Sequence, residues 1–279
     1  MPNLVYLNNK YIPFKDAKVP IEDRGFQFSD SVYEVVKIIN KKILDFDFHM
    51  RRLKYSTSEL NFNFKVNSKL LKKIFQDLMI KNKLSNGIIY LQITRGVQSR
   101  EHAYKKNLKP NVVVYTAKKK FNLPNKNYKG FKAITYPDIR WGRPDIKTTS
   151  LLANIIAATE ASKKGAYETI LVKGKKITEA AHSNVWIVKG NKIITHPANK
   201  EILKGVTRTV LINIINSLGF KLIEKEFSLK ELYKSDEVFI TSSGSLVTPI
   251  TQIDNIKINN KKIGKITKTL ALSFYKSII

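Results

Sequence analysis

The stretch AKKKFNLPNKNYKG, residues 117–130, interrupts the regular hydrophobic pattern of this 279-residue chain. It carries neither a helical nor a strand period, contains Pro124 and ends on Gly130. Read as an interdomain linker over residues 117–129, it predicts a small N-terminal domain over residues 1–116 and a larger C-terminal domain over residues 130–279. Residues 112–116 before it and 132–136 after it are rich in Val, Ile and Tyr and read as strands.

Working outward, residues 4–13 alternate around Asn8-Asn9 as a hairpin would. Residues 32–36 read as a short helix or a helix running into a strand. Helices are expected over 45–61 and 67–84; in the second, Leu70, Leu71, Ile74, Phe75, Leu78 and Met79 form an apolar stripe with Ser68 as its cap. Residues 87–94 read as a strand. Downstream come a helix over 149–164 and strands over 169–172, 184–188 and 192–195. A helix over 206–218, a strand over 220–224, a short helix over 229–233, a strand over 237–241 and a helix from 264 complete the pattern. Helices and strands mix without strict β-α-β alternation, so the expected class is α+β in two domains.

Composition limits the function. Apolar residues make up 43% and charged residues 26%, as in globular proteins, and no run approaches the 20 or so apolar residues of a membrane helix. The absence of cysteine excludes disulfides and thiolate chemistry and fits a cytoplasmic protein. The net charge of +28 comes mainly from scattered lysines, with only 8 arginines among 50 basic residues. Arginine is the preferred fork for phosphates and guanine edges, so a surface lysine bias explains the charge better than a specific nucleic-acid site. A basic polyanion-binding module is the non-enzymatic alternative.

His49, His102, His182 and His196 show no metal-ligand spacing, and no metal site is expected. No nucleotide-binding glycine motif or nucleophile elbow occurs. Ser242-Ser243-Gly244-Ser245 and the helix start at Gly205-Val206-Thr207 could each receive a phosphate. The residues alone reach no further than a phosphorylated ligand.

The order of short motifs goes beyond this. Glu22-Asp23-Arg24-Gly25, Asp30, Val32 to Lys37, His49 with Arg52-Leu53, Thr94-Arg95-Gly96 and Arg100-x-His102 resemble D-amino-acid aminotransferases of the pyridoxal-phosphate fold-type IV group. So do Asp138 to Trp141, Asp145-Ile146-Lys147, Thr178-Glu179, Ser183-Asn184-Val185, His196 to Asn199, Ile202 to Arg208 and Thr241-Ser242. The resemblance covers essentially the whole chain and implies pyridoxal 5′-phosphate in the interdomain crevice. It makes Lys147, in the C-terminal domain, the Schiff-base lysine and catalytic group, and its placement near Trp141 and Ile146 in the sequence would suit a desolvated amine. Glu179 pairs with the ring nitrogen, and Leu203 packs on the ring. Arg52, Val206, Thr207 and Ser243 hold the phosphate, and Ser183 joins the cofactor site.

The same resemblance makes Tyr33, Arg100 and His102 a trap for the substrate carboxylate. Arg100 and His102 would cross the interface of a homodimer. The implied reaction is ping-pong transamination between a D-amino acid, such as D-alanine or D-glutamate, and a 2-oxo acid. Branched-chain L-amino-acid transamination and aminodeoxychorismate lysis are alternatives on the same fold. Ala180-Ala181-His182 departs from the family's Gly-Ser-Ser, placing an imidazole beside the expected cofactor and leaving its contact with cofactor or substrate open.

Overall fold

The computed structural model of the chain describes residues 3–125 and 128–278; residues 126 and 127 of the expected linker lie outside them. The chain divides into two compact units, Met1–Lys120 with Ile146–Ser150, and Phe121–Asp145 with Leu151–Ile279. Lys147 thus falls in the first unit.

The first unit contains β1 (Leu4–Leu7), β2 (Lys10–Pro13), α1 (Arg24–Phe28), β3 (Ser31–Ile39), β4 (Lys42–Ile43), α2 (Phe46–Glu59), α3 (Ser68–Lys81), β5 (Gly87–Thr94) and β6 (Val112–Lys118). Among the described residues its strands form one antiparallel sheet in the order β2-β1-β6-β5-β3-β4. Asn8 and Asn9 adopt φ values of 46° and 69° between β1 and β2, the left-handed pair that a tight hairpin needs and asparagine tolerates. Residues 32–36 are strand throughout: five of the nine residues of β3 are valine or isoleucine, around Glu34 and Lys37, and the strand pairs with β5 along its length. The helix sits earlier, at α1. For α3 the cap is Asn67 rather than Ser68, with Asn67 Oδ1 accepting from the Leu70 N–H at 3.0 Å.

Strand alternation sorts β3. Val32, Val36 and Ile38 enter the core with Met50 and Leu53 of α2 and Phe75 and Leu78 of α3, so Glu34 points to the same helix-covered side. Tyr33 points to the other. The segment Ile146–Ser150 runs beside the start of β3: the Tyr33 N–H donates to the Lys147 carbonyl at 3.0 Å and the Thr149 N–H to the Ser31 carbonyl at 3.1 Å. That is why the helix expected from 149 begins only at 152.

The second unit contains β7 (Phe131–Pro137), α4 (Leu152–Lys163), β8 (Glu168–Lys173), β9 (Lys176–Ala180), β10 (Asn184–Lys189), β11 (Lys192–Thr195), α5 (Val206–Ser217), β12 (Lys221–Glu224), β13 (Phe227–Ser228), α6 (Leu229–Tyr233), β14 (Glu237–Ser242), β15 (Leu246–Ile253), β16 (Ile256–Lys257) and α7 (Lys265–Lys276). Its sheet runs β12-β11-β10-β14-β15-β7-β8-β9-β13, with β16 on β15. Parallel pairing at β7/β8, β7/β15 and β11/β12 interrupts antiparallel ladders, so the α+β reading holds. Strands β9 and β15 escaped the sequence reading. Each is almost wholly buried and lacks the period-two pattern that marks a half-buried strand.

Asp23 links α1 to the sheet. Its carboxylate, 1% exposed, accepts from the Gly25 N–H at 2.8 Å, Thr94 Oγ1 at 2.7 Å and Asn111 Nδ2 at 2.6 Å. Gly25 is required beside it, because a Cβ there would lie 2.5 Å from Thr94 Cγ2. Asp23→Ala leaves these donors without an acceptor, at about 1–3 kcal/mol each where no water reaches them. A loss of about 3 kcal/mol or more is expected, read as a lower denaturation midpoint at unchanged m-value.

Candidate active site

In the first unit, Lys147 is half-buried with Nζ 4.0 Å from the Tyr33 ring centroid. Tyr33 stacks on Tyr90, and Tyr90 on Tyr115, at centroid separations of 5.6 and 4.9 Å. The phenol beside the amine is therefore backed by a column of rings on one face of the sheet. The Lys147 N–H donates to Ser56 Oγ of α2 at 3.1 Å, and Thr149 Oγ1 bonds Ser31 Oγ. These contacts hold the backbone on both sides of the lysine.

On the opposite face, α2 carries His49 and Arg52 one turn apart, both turned to Glu34. Arg52 donates from Nε to Glu34 Oε1 at 2.8 Å and from Nη2 to Oε2 at 2.7 Å, and His49 Nδ1 lies 2.7 Å from Oε2. Glu34 and His49 are fully buried. Burial alone would raise the Glu34 carboxyl, yet the Arg52 guanidinium and the His49 contact hold it down at about 2. Burial, with Arg52 and Lys37 nearby, keeps His49 below its ordinary value despite Glu34. A neutral His49 donates from Nδ1, leaving a buried Nε2 without a hydrogen-bond partner. Sequence reasoning singled out Arg52 and missed Glu34, whose flanking valines gave no sign of a buried charge.

Arg100 and His102 lie on the irregular segment between β5 and β6, both exposed. They flank one ring: Arg100 Cζ is 5.1 Å from the Phe28 centroid and the His102 ring 5.6 Å from it.

In the second unit, Glu179 ends up buried on β9. It accepts from the Leu203 N–H at 3.1 Å and from Asn184 Nδ2 at 3.0 Å, and it pairs with Arg140. Arg140 is shared, donating from Nη2 to Asp138 Oδ2 at 2.7 Å. Burial pushes the Glu179 carboxyl up to about 7, with Arg140 and the Leu203 N–H opposing and Asp138 adding to the rise. Asn184 Nδ2 also donates to the Leu203 carbonyl at 2.9 Å, tying the Glu179 carboxylate to the loop that leads into α5. The N-cap of α5 is Gly205, which has no side chain to cap the first N–H groups of Val206 and Thr207. A Cβ there would meet Asn184 Oδ1 at 2.1 Å. Ser243 sits in the turn between β14 and β15, which Ser242 and Ser245 close through a 2.7 Å hydroxyl contact.

Ser183 Oγ donates to the buried Glu168 at 2.9 Å, and His182 Nδ1 lies 3.4 Å from the same carboxylate with its side chain 61% exposed. Ala180 and Ala181 are buried in apolar clusters. His196, Glu201 and Glu226 place potential ligand atoms within 4.8 Å of one another, and Glu201 and Glu226 are paired with Lys173 and Lys176.

The amino-transferase class IV pattern matches residues 31–253. The D-alanine aminotransferase of Listeria monocytogenes is 38% identical over 276 residues, covering 98% of this chain and 96% of the relative. That of Bacillus licheniformis is 37% identical over 276 residues, covering 99% and 97%. The chain belongs to the class IV aminotransferase family. Its fold resembles that of the Escherichia coli branched-chain amino acid aminotransferase, with a TM-score of 0.91 at 23% identity over 99% of this chain and 94% of that one.

As a class IV aminotransferase the protein works with pyridoxal 5′-phosphate. Its donor set fits that group. The α5 N-terminus with its glycine cap suits a phosphate, and a buried carboxyl raised to about 7 suits a cationic ring nitrogen. Among the described residues no helix is long and apolar enough to cross a membrane.

The Glu34 cluster makes stability depend on pH. Its folded pKa of about 2 lies below the ordinary 4.5, so its contribution is complete above 4.5 and disappears as pH falls towards 2. His49, also depressed, adds a loss that begins below its ordinary 6.5. Glu34→Gln removes the acid step and leaves Arg52 without its carboxylate, costing about 3–5 kcal/mol at neutral pH. Denaturation midpoints of both proteins between pH 7 and pH 2 check this: the variant is less stable at pH 7 and has the flatter profile.

Proposed function

We propose that the protein exchanges amino and oxo groups between a D-amino acid, such as D-alanine or D-glutamate, and a 2-oxo acid, by a ping-pong mechanism. The observation that carries this reading is the 4.0 Å contact between Lys147 Nζ and the Tyr33 ring, which sets a base beside a phenol. Tyr33, Arg100 and His102 supply hydroxyl, guanidinium and imidazole donors for the substrate α-carboxylate. A carboxylate held beside Lys147 turns one face of the α-carbon towards the amine. In a D-amino acid the hydrogen occupies that face; in the L-form the side chain does. The D-alanine aminotransferases, at 37–38% identity, support the same hand.

The cofactor supplies the electron sink that lowers the barrier to losing the α-proton. Lys147 anchors it between turnovers, and its amine takes the α-proton and gives it back as general base and acid. Glu179 accepts from the ring N–H and keeps that nitrogen protonated, while Arg140 and Asn184 hold the carboxylate in place. Arg52, Thr207, Ser243 and the Val206 N–H hold the phosphate. Leu203 lies against the ring, and Ser183 lines the cofactor site. The working form is a cytoplasmic homodimer in which Arg100 and His102 serve the neighbouring subunit. Support for a second copy comes from α4, where Leu152 and Ile155 are 72% and 57% exposed.

Borohydride reduction of the cofactor-loaded protein should fix the pyridoxyl group on Lys147, as read by peptide mapping; an adduct on another lysine overturns the site. Arg100→Ala should raise KM for D-alanine and D-glutamate. A charge-assisted contact of about 1.5–3 kcal/mol corresponds to roughly ten- to hundredfold. Assays with D- and L-alanine, L-leucine and aminodeoxychorismate test the hand and the reaction together. A preference for L-leucine, or release of pyruvate from aminodeoxychorismate, would overturn the proposal.

A further inference from the structure

The segment that carries Arg100 and His102 has no helix or strand of its own between Gln98 and Pro110, so something else must fix its backbone. Arg24, at the first turn of α1 and 4% exposed, meets this need. Its Nη1 donates to the Glu101 carbonyl at 2.7 Å and its Nη2 to the His102 carbonyl at 3.0 Å. The two arms of one planar fork therefore hold the peptide links on either side of His102, directly after Arg100.

The fork is itself anchored. Arg24 Nε donates to Asp30 Oδ2 at 2.8 Å, and the same carboxylate accepts from Arg95 Nε at 2.8 and 3.0 Å. Arg95, 5% exposed, reaches the Leu60 and Asn61 carbonyls at the end of α2 with its other nitrogens, at 2.8 and 3.2 Å. The Tyr104 ring lies 3.8 Å from Arg95 Cζ and 6.0 Å from Arg24 Cζ, and the Phe28 ring lies 4.8 Å from Arg24 Cζ. Gln98 closes the segment on itself, donating to the Ala103 carbonyl at 3.0 Å and accepting from the Lys105 N–H at 2.8 Å. A lysine in place of Arg24 would keep the charge but offer one nitrogen where two carbonyls and a carboxylate need three directed donors.

We propose that Arg24 is a positioning residue for substrate recognition: its guanidinium, anchored on Asp30, clamps the Glu101 and His102 carbonyls and so sets where Arg100 and His102 present their donors. This rests on the reading of Arg100 and His102 as the carboxylate trap. Arg24 touches neither substrate nor cofactor, and it acts on affinity through the backbone. Phe28, on the same short helix, adds the ring that both trap side chains flank.

The test uses the cofactor-loaded enzyme with D-alanine as substrate and propionate as a carboxylate probe, its binding read from the cofactor absorbance. Arg24→Lys should raise KM for D-alanine and Kd for propionate about tenfold, while kcat changes by no more than about twofold. Amide exchange over residues 99–105 should quicken, and cofactor content should stay that of the parent. In an Arg100→Ala background the same substitution should have a smaller effect than in the parent, because only the His102 donor is left for it to position. If Arg24→Lys does not fold, Arg24→Gln, which keeps one amide donor for the carbonyls, replaces it with the same expectations.

Unchanged KM and Kd, a loss confined to kcat, or an undiminished effect in the Arg100→Ala background would overturn the proposal. So would failure of both variants to fold, which would assign Arg24 to the fold alone. If Arg100→Ala itself leaves D-alanine binding unchanged, the trap reading fails, and this proposal fails with it. A strong Arg100→Ala effect beside an inert Arg24→Lys removes this proposal and leaves that reading standing.

Discussion

A guanidinium cannot lose its proton in a protein, so each one taken out of water must meet a carboxylate and carbonyl oxygens. This constraint organises both units. Arg24 and Arg95 share Asp30, Arg52 meets Glu34, Arg140 meets Asp138 and Glu179, and Arg208 meets Glu224. Five of the eight arginines are thus withdrawn from solvent and paired, which fixes the position of acids drawn from a pool of only 22. The lysines, by contrast, lie mostly at the surface, and their surplus accounts for the charge of +28. Among the described residues Lys37 is fully buried instead, held by Asp45 at 2.6 Å.

The same pairing yields opposite results at two glutamates. Glu34 receives both nitrogens of one edge of Arg52 and a histidine N–H, and its carboxyl falls to about 2. Glu179 competes with Asp138 for Arg140, and burial raises it to about 7. The first is a fixed anion that orients Arg52. The second is poised to respond to a cation placed against it, as a pyridine nitrogen requires. Each outcome follows from how many donors reach the carboxylate and how many other anions share them.

Much of the fold was legible. The apolar stripe of residues 71–79 and the Asn8-Asn9 turn rest on neighbours within a few positions, and both were found; Leu70, counted in the same stripe, is exposed, because it stands at the edge of the face that packs on the sheet. Strands β9 and β15 were not, because a strand buried on both faces has no alternation to read. The helix expected from 149 begins late because residues 146–150 lie along β3, a pairing between segments more than a hundred positions apart.

The sequence by itself determined local periods, the turns, the surplus of lysine and the ordered motifs that identify the family. Lys147, Glu179 and Arg52 were singled out only through the resemblance of those motifs to the family, since the residues alone reach no further than a phosphorylated ligand. The tertiary structure alone decided which charges are buried and with whom. Glu34 on a valine-rich strand, and Arg24 reaching carbonyls 77 and 78 positions away, look like ordinary surface residues in the linear chain. Desolvation and Coulomb energy depend on distance in space, and a carboxylate learns its partner only when strand and helix have packed around it.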